Sequence, residues 1–447
     1  MNFQEFKKNT QKFNILKKSD IAGSYHFPTA TVSFESLERR DIAAIVQLRE
    51  KLISKAKLSV QEYESLTKVM PLATHEYTHF VDSTSTVWGM KLLSLMNTAY
   101  LSHDNYQKDE TQFWQAKRFY DFLRSIALPD YYTLKHSSVS NRPWMAKITA
   151  GQVFDKDGKI TDRTILFQRF HNSEGGLMVR SPISSVSILE ASAMAQEIMS
   201  RMSFTFGLDS DSNIIERRRI SQDVVDYLYN PNLTEYSVCV HLAANMLGTS
   251  DIAIAFAVSS VLTRVCLNLT DAAFDSLAAN ESLMGLVMLP DEHNFSRRIR
   301  DGLRLRDLGT AFYLMTTCLP YKPDLTTTDI NKIATQAIKK MGIDPELIHA
   351  DAIAFGKKVR DELKESPIEP IRWLSEAGLN NLQTINPLSH TINFHALDLP
   401  KSLLGDSSEF FILGNPQSPL ANKTIDSICD PLLYGQLWIE RFAEGCC

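Results

Sequence analysis

Apolar residues along the chain recur with a helical period in some stretches and a strand period in others, and the switches between the two mark out its elements. Residues 36–57 place Leu37, Ile42, Ile45, Val46, Leu48, Leu52 and Ile53 on one helical face. Ser59-Val60-Gln61-Glu62 has the form of a capping box and predicts a short helix running toward Lys68. Pro71 suits the first turn of the next helix, where its missing N–H costs nothing; that helix is expected over about 72–83. Asp82-Ser83-Thr84-Ser85-Thr86 marks a break and restart, followed by a long apolar helix from about Val87 to Leu101. Residues 110–138 read as helical on Phe113, Trp114, Phe119, Tyr120, Phe122 and Leu123.

Strand signals are fewer. Tyr25–Phe34 alternates and is rich in β-formers, predicting a strand in spite of Pro28. Lys147–Phe154 and Arg163–Phe170 flank the turn Asp155-Lys156-Asp157-Gly158 and predict a hairpin, and Leu177-Met178-Val179 predicts a further short strand. A serine cap then opens a small-residue helix over about 185–206. From Ser212 the pattern is almost entirely helical: Ile214–Tyr229, Leu233–Met246, Ile252–Leu267, Asp271–Ala279, Ser296–Cys318, Thr328–Lys340 and Pro345–Glu365, with no fixed repeat. Beyond Pro370, Pro, Asn, Ser and Gly become frequent, predicting an irregular tail wrapped over the body. The expected fold is α+β and predominantly α-helical. Residues 1–211 would hold a small sheet and the chemistry below, 212–369 a helical region and 370–447 the tail.

Composition narrows the classes. The 447 residues leave ample apolar content for a large core, and a net charge of −5 gives no general attraction to nucleic acid. Residues 1–20 are basic and amphipathic at best, expected as a loosely docked arm. Charges scattered through Met1–Lys8 argue against a secretory signal. The most apolar uncharged run, Ile252–Thr263, is too short to span a bilayer. Cys239, Cys266, Cys318, Cys429, Cys446 and Cys447 lack paired metal spacing and read as thiols of a reducing compartment, so a cytoplasmic protein is expected. Gly445-Cys446-Cys447 has the form of a double-cysteine prenylation end without a polybasic lead-in, and no lipidation is expected. Arg297, Arg298, Arg300, Arg304 and Arg306 form a basic stripe, expected to be a solvated face with local acids Asp301 and Asp307.

The chemistry concentrates in His75-Glu76-Tyr77-Thr78-His79. Residues four apart stack on one helical face, so His75 and His79 can offer imidazole nitrogens to one ion. Glu76, on the adjoining edge, can hold a water and take its proton. With so few histidines, a chance HExxH is expected on the order of 0.02 times in this chain. From Leu72 to Val81 no charged residue lies outside the motif, as befits a helix carrying ligands through an interior.

Residues 72–82 resemble the active-site helix of the zincin metallopeptidases. Position 82 is Asp82 and position 85 is Ser85, so the third histidine of the metzincin extension is missing. What remains resembles the gluzincins, whose third ligand is a glutamate on a later helix. Glu190-Ala191-Ser192-Ala193 is similar to the E-(G/A)-x-A element that supplies it. The resemblance implies a Zn²⁺ ion held by His75, His79 and Glu190, with Glu76 as the catalytic base. Glu197, two turns later on the same face, is the first substitute or a partner behind a ligand. Asp82 is expected to accept the free N–H of a ligating histidine, and Asp104 and His103 are further eligible ligands. Gluzincins also use a Tyr or His at the oxyanion; Tyr229, Tyr236, His241 and His293 are eligible by type and none is selected.

The resemblance implies a zinc metalloendopeptidase acting on a protein or peptide substrate, within a zincin-like domain with an edge strand beside the motif helix. The helical C-terminal half would shape the cleft or meet a regulatory protein partner. Two other readings stand beside it: a non-catalytic interaction protein with a structural zinc site, and a zinc hydrolase of a non-peptide amide.

Overall fold

The capping box at Ser59 forms: the Glu62 N–H donates to Ser59 Oγ at 3.3 Å, and the Ser59 N–H donates to the Glu62 carboxylate at 2.8 Å. The helix it opens does not stop near Lys68. In the structure, a computed structural model describing residues 1–10, 22–48, 51, 54, 56–105, 109–136, 142–155, 157–286 and 294–446, one helix runs unbroken from Val60 to Thr84 with Pro71 inside it. The two helices expected here are therefore one. An interior proline costs about 3 kcal/mol in a lost bond and a clash. Leu66, Val69 and Ala73 on the same helix are fully buried, and packing of that face outweighs the cost.

The chain proceeds through α1 (Phe3–Thr10), β1 (Ser24–His26), β2 (Thr31–Phe34), α2 (Arg39–Val46), α3 (Val60–Thr84), α4 (Val87–Asn105) and α5 (Phe113–Ile126). Strands β3 (Leu134–Lys135), β4 (Met145–Phe154), β5 (Ile160–His171) and β6 (Leu177–Ile183) follow, then α6 (Ser185–Phe204), α7 (Ser210–Leu228), α8 (Thr234–Leu247) and α9 (Ile252–Leu267). Helices α10 (Asp271–Ala279), α11 (Ser282–Leu286), α12 (Asn294–Arg304), α13 (Leu308–Thr317), α14 (Ile330–Lys340), α15 (Pro345–Leu363) and α16 (Glu369–Thr384) precede β7 (Ser402–Leu404), β8 (Glu409–Phe410) and α17 (Ile425–Cys446). The protein is predominantly helical with small sheets, an α+β architecture.

Several elements differ from their sequence expectation. Tyr25–Phe34 is not one strand: a 3₁₀ turn at Phe27–Thr29, with Pro28 fixing its backbone, folds it into the antiparallel pair β1–β2. Strand β2 then pairs in parallel with β7, Val32 lying opposite Ser402, so the sheet order is β1-β2-β7-β8. The stretch expected as an irregular tail thus completes this sheet and ends in the 22-residue helix α17. The helix expected over 296–318 is split, because Arg306 takes a left-handed φ of 58° and Asp307 caps α13 by accepting from the Thr310 N–H at 2.7 Å. The arginine stripe around this break is locally paired, Arg304 with Asp301 at 3.2 Å and Arg306 with Asp275 at 2.7 Å. The helix expected over 110–138 ends at Ile126. The predicted hairpin is β4–β5, in a second sheet ordered β3-β6-β5-β4. Residues 11–20 of the expected N-terminal arm, Leu52, Ile53, Lys156, His293 and Cys447 lie outside the described residues, as do the side chains of Asp104 and Cys446.

One apolar cluster runs from Tyr25 through α3, α6 and α9 to Phe442, drawing on all three stretches of the chain. The end of α3 is pinned against α16 at Gly378, where a Cβ would sit 2.2 Å from the Thr84 carbonyl oxygen. Asn381, one residue before Leu382 on that helix, donates to Ser85 Oγ at 3.2 Å. Among the described residues no single helix is long and apolar enough to cross a membrane; α8 and α9 pass together on length and composition but meet at a bend of 108°.

His26 in β1 is 2% exposed, with Nδ1 against Thr29 Oγ1 at 2.8 Å. Burial lowers its pKa to about 3, so the folded chain holds it neutral where the unfolded chain, at about 6.5, accepts a proton. Its contribution to stability is full above the unfolded value and is lost as pH falls toward about 3. Between pH 7 and pH 5 it should cost about 2 kcal/mol. Urea unfolding of wild type and His26→Asn at both pH values should show that difference shrinking by this amount; an unchanged difference would place the acid sensitivity elsewhere.

Candidate metal centre

Helices α3 and α6 pack against each other along small residues: Ala73, Thr74 and Thr78 on one, Ala191, Ser192, Ala193 and Ala195 on the other are all buried. Sheet β3–β6 delivers the second helix, since β6 runs into Ser184, whose Oγ accepts from the Ser187 N–H at 3.2 Å and starts α6. This close crossing faces His75 and His79 across to Glu190.

Three atoms converge there. His75 Nε2 lies 3.2 Å from His79 Nε2 and 3.5 Å from Glu190 Oε2, and the third edge, His79 Nε2 to Glu190 Oε2, is 3.8 Å. A tetrahedral zinc with ligands at 2.0–2.1 Å sets adjacent ligand atoms about 3.3 Å apart. The triangle is therefore the size of one face of such a site. His75, His79 and Glu190 are 5%, 1% and 0% exposed, and they form the one group of this kind among the described residues.

The polar accounting points the same way. Both Glu190 oxygens and His79 Nδ1 are buried without a hydrogen-bond partner. An unsatisfied buried carboxylate costs several kcal/mol unless a cation neutralises it. Burial pushes the Glu190 carboxyl above its usual range although His75 favours its charged form. His79 is pushed well below the imidazole range by burial and by His75. Burial opposes a charge on His75 too, but Glu190, Glu197 and Glu76 outweigh it and raise its pKa well above the ordinary value. The donor set of two imidazoles and one carboxylate, with Glu76 and Glu197 beside it, fits a divalent cation and matches the three-ligand sets of catalytic rather than closed structural zinc sites.

Glu197 lies behind the ligands. Its Oε2 accepts from His75 Nδ1 at 3.0 Å, which keeps the proton of the neutral ring on Nδ1 and turns Nε2 toward Glu190. It holds the His75 ring from the side away from the convergence point. Asp82 does not do the same for His79. Its oxygens and His79 Nδ1 are each without a partner; the aspartate turns toward Ser192 and the buried Arg264, and burial lifts its pKa to about 7. Three residues along a helix leave Asp82 offset by about 60° from His79, toward Ser192 of α6 and Arg264 of α9.

Glu76 is 3% exposed, and its charge acts on His75. Gly23, just before β1, lies beside it: a Cβ there would come within 3.3 Å of Glu76 Cγ and 2.9 Å of Phe34. Only a residue without a side chain lets the sheet approach this closely. Strand β1 ends its sheet among the described residues, and Phe27 from its turn stands 6.4 Å, ring to ring, from His79. The Tyr77 hydroxyl donates to the Pro400 carbonyl at 2.8 Å, and Ser83 Oγ to the Tyr25 hydroxyl at 2.6 Å, tying both ends of the sheet to α3. An open groove of about 390 Å³, lined by Ala22, Lys68, Leu72, Arg201, Arg219 and Glu197, reaches Glu197 behind His75, and neither Glu76 nor the three converging residues line it.

The other eligible residues lie elsewhere. His241 Nε2 donates to the Leu228 carbonyl at 2.8 Å, and the ring packs with Trp144, Phe170 and Tyr229, a structural cluster. His103 contacts Tyr434 and Trp438 on α17. Tyr236 is buried on α8. Tyr227 was not singled out by sequence: its hydroxyl is buried without a partner, and Glu190 and Glu197 add to burial in raising its pKa well above the usual phenol range. The signal was available in the buried stripe Ile220, Val224 and Leu228 of α7, which Tyr227 adjoins. Compared with protein-family models, curated proteins and solved structures, the chain matches none.

Proposed function

We propose that the protein is a zinc-dependent hydrolase of the zincin kind that cleaves peptide bonds in a protein substrate. The observation that carries this reading is the triangle of His75 Nε2, His79 Nε2 and Glu190 Oε2, sized for one face of a tetrahedral site. A zinc ion bound there would polarise the scissile carbonyl and bring the pKa of a water near neutrality. Glu76 takes the proton of that water and passes it to the leaving amine. Glu197 keeps His75 in its ligating tautomer. Tyr227, a donor without a partner that feels the charges of Glu190 and Glu197, would answer negative charge developing on the carbonyl oxygen. The end strand β1 offers backbone groups with which an extended substrate segment pairs. Buried free thiols at Cys239, Cys266, Cys318 and Cys429 support action in a reducing, cytoplasmic setting.

One observation favours a second reading. The ligands and Glu76 are all 5% exposed or less, as a structural zinc staple would be. Elemental analysis joined to hydrolysis separates the two. The expected result is one zinc per chain and cleavage of an unfolded protein substrate that a chelator stops and added zinc restores. Zinc without any hydrolysis would favour the staple, and a chain that takes up no zinc after reloading would end both readings.

A further inference from the structure

Away from the metal centre, α15, α16 and the segment before α17 enclose a pocket of about 280 Å³. Four cations line it, Arg360, Lys364, Arg372 and Lys423, against two carboxylates, Glu376 and Asp398. Both carboxylates already have donors: Glu376 accepts from Arg360 at 2.9 Å, and Asp398 accepts from Asn380 Nδ2 at 2.9 Å. Arg372 is held by Glu369 at 3.1 Å and by the Ser366 carbonyl. Lys364 and Lys423 have no carboxylate within ion-pair distance among the described residues. Lys423 is nevertheless fixed, its Nζ standing 3.7 Å above the centre of the Trp373 ring. A cation–π contact of this kind positions the ammonium without neutralising it.

Like charges gathered around one concave site repel one another, and in a chain of net charge −5 the gathering is not a by-product of a generally basic surface. We propose that this pocket binds the phosphoryl group of a small phosphate-bearing molecule, with Lys364 and Lys423 as the charges that neutralise it and Arg360 and Arg372 as the fork-shaped donors beside them. The neighbouring indole, Trp373, makes occupancy visible. None of these residues belongs to the His75–His79–Glu190 group, so the proposal stands whether or not the metal centre is catalytic.

The test is a fluorescence titration of the full chain with inorganic phosphate and, separately, with a phosphate monoester, at constant ionic strength. The expected result is a saturable change that disappears in Trp373→Phe, with affinity falling at least tenfold in Lys364→Gln and in Lys423→Gln. Both lysines reach the surface, so folding is checked by unchanged thermal unfolding. Tighter binding of the monoester would identify an organic phosphate as the occupant, and equal binding would identify the free anion. An equal response to chloride, no saturable response, or saturation that both glutamine variants retain would overturn the proposal. Isothermal titration with Trp373→Phe covers the case in which the indole reports poorly: heat of phosphate binding that both lysine variants keep would overturn it as well.

Discussion

Glu76→Gln should leave the fold and one zinc per chain in place while lowering hydrolysis by roughly 10²–10⁴-fold, the span that positioned general bases supply. The amide has the shape of the carboxylate, so a side chain only 3% exposed and packed beside Gly23 keeps its neighbours. What it loses is the ability to take a proton. Glu76 also adds to the negative field on His75, so a small change in metal affinity is expected with it, far below the loss in rate. Tyr227→Phe in the same assay should cost less, about tenfold in kcat, because it removes one donor of several kinds of charge stabilisation. The measurement is kcat and KM on one peptide with metal content determined on the same samples. Full activity in Glu76→Gln would remove the general-base role; loss of zinc in that variant would turn Glu76 into a ligand or a prop.

The second large effect concerns Glu190 and Glu197, two turns apart on α6 and close enough to be mistaken for each other in sequence. Glu190→Ala removes one of three atoms at the centre and should abolish stoichiometric zinc at the concentrations where wild type is loaded. Glu197→Ala frees His75 Nδ1 from its 3.0 Å partner and should weaken zinc by roughly 10–100-fold, the usual cost of losing a residue that holds a ligand. Competition with a chromogenic chelator reads both constants. The reverse order of losses would exchange the two roles and move the third ligand to Glu197.

The sequence made the local features readable. His75 and His79 announce themselves because four residues along a helix bring two rings together, and the Ser59 and Ser184 caps are formed where spacing placed them. The β4–β5 hairpin was legible because its turn and both strands are contiguous. Glu190 could be set beside the motif only through a resemblance, since nothing local says which later helix packs on α3. The same limit hid the pairing of β2 with β7, the burial of Arg264 opposite Asp82, and Tyr227. Pro71 misled for a related reason: its local preference is to begin a helix, and only the burial of Leu66, Val69 and Ala73 shows why the helix continues through it.

The parallel pairing of Val32 with Ser402 sets an order of events in synthesis. At roughly 5–20 residues per second, the ribosome makes β2 and the motif helix on the order of a minute before β7 exists. During that interval His75, His79 and Glu190 are made, but β2 lacks its partner β7 and the Pro400 carbonyl that receives Tyr77 is missing. A nascent chain can therefore bring His75, His79 and Glu190 together early, yet the sheet beside Glu76 is completed only once residues 402–404 have been made.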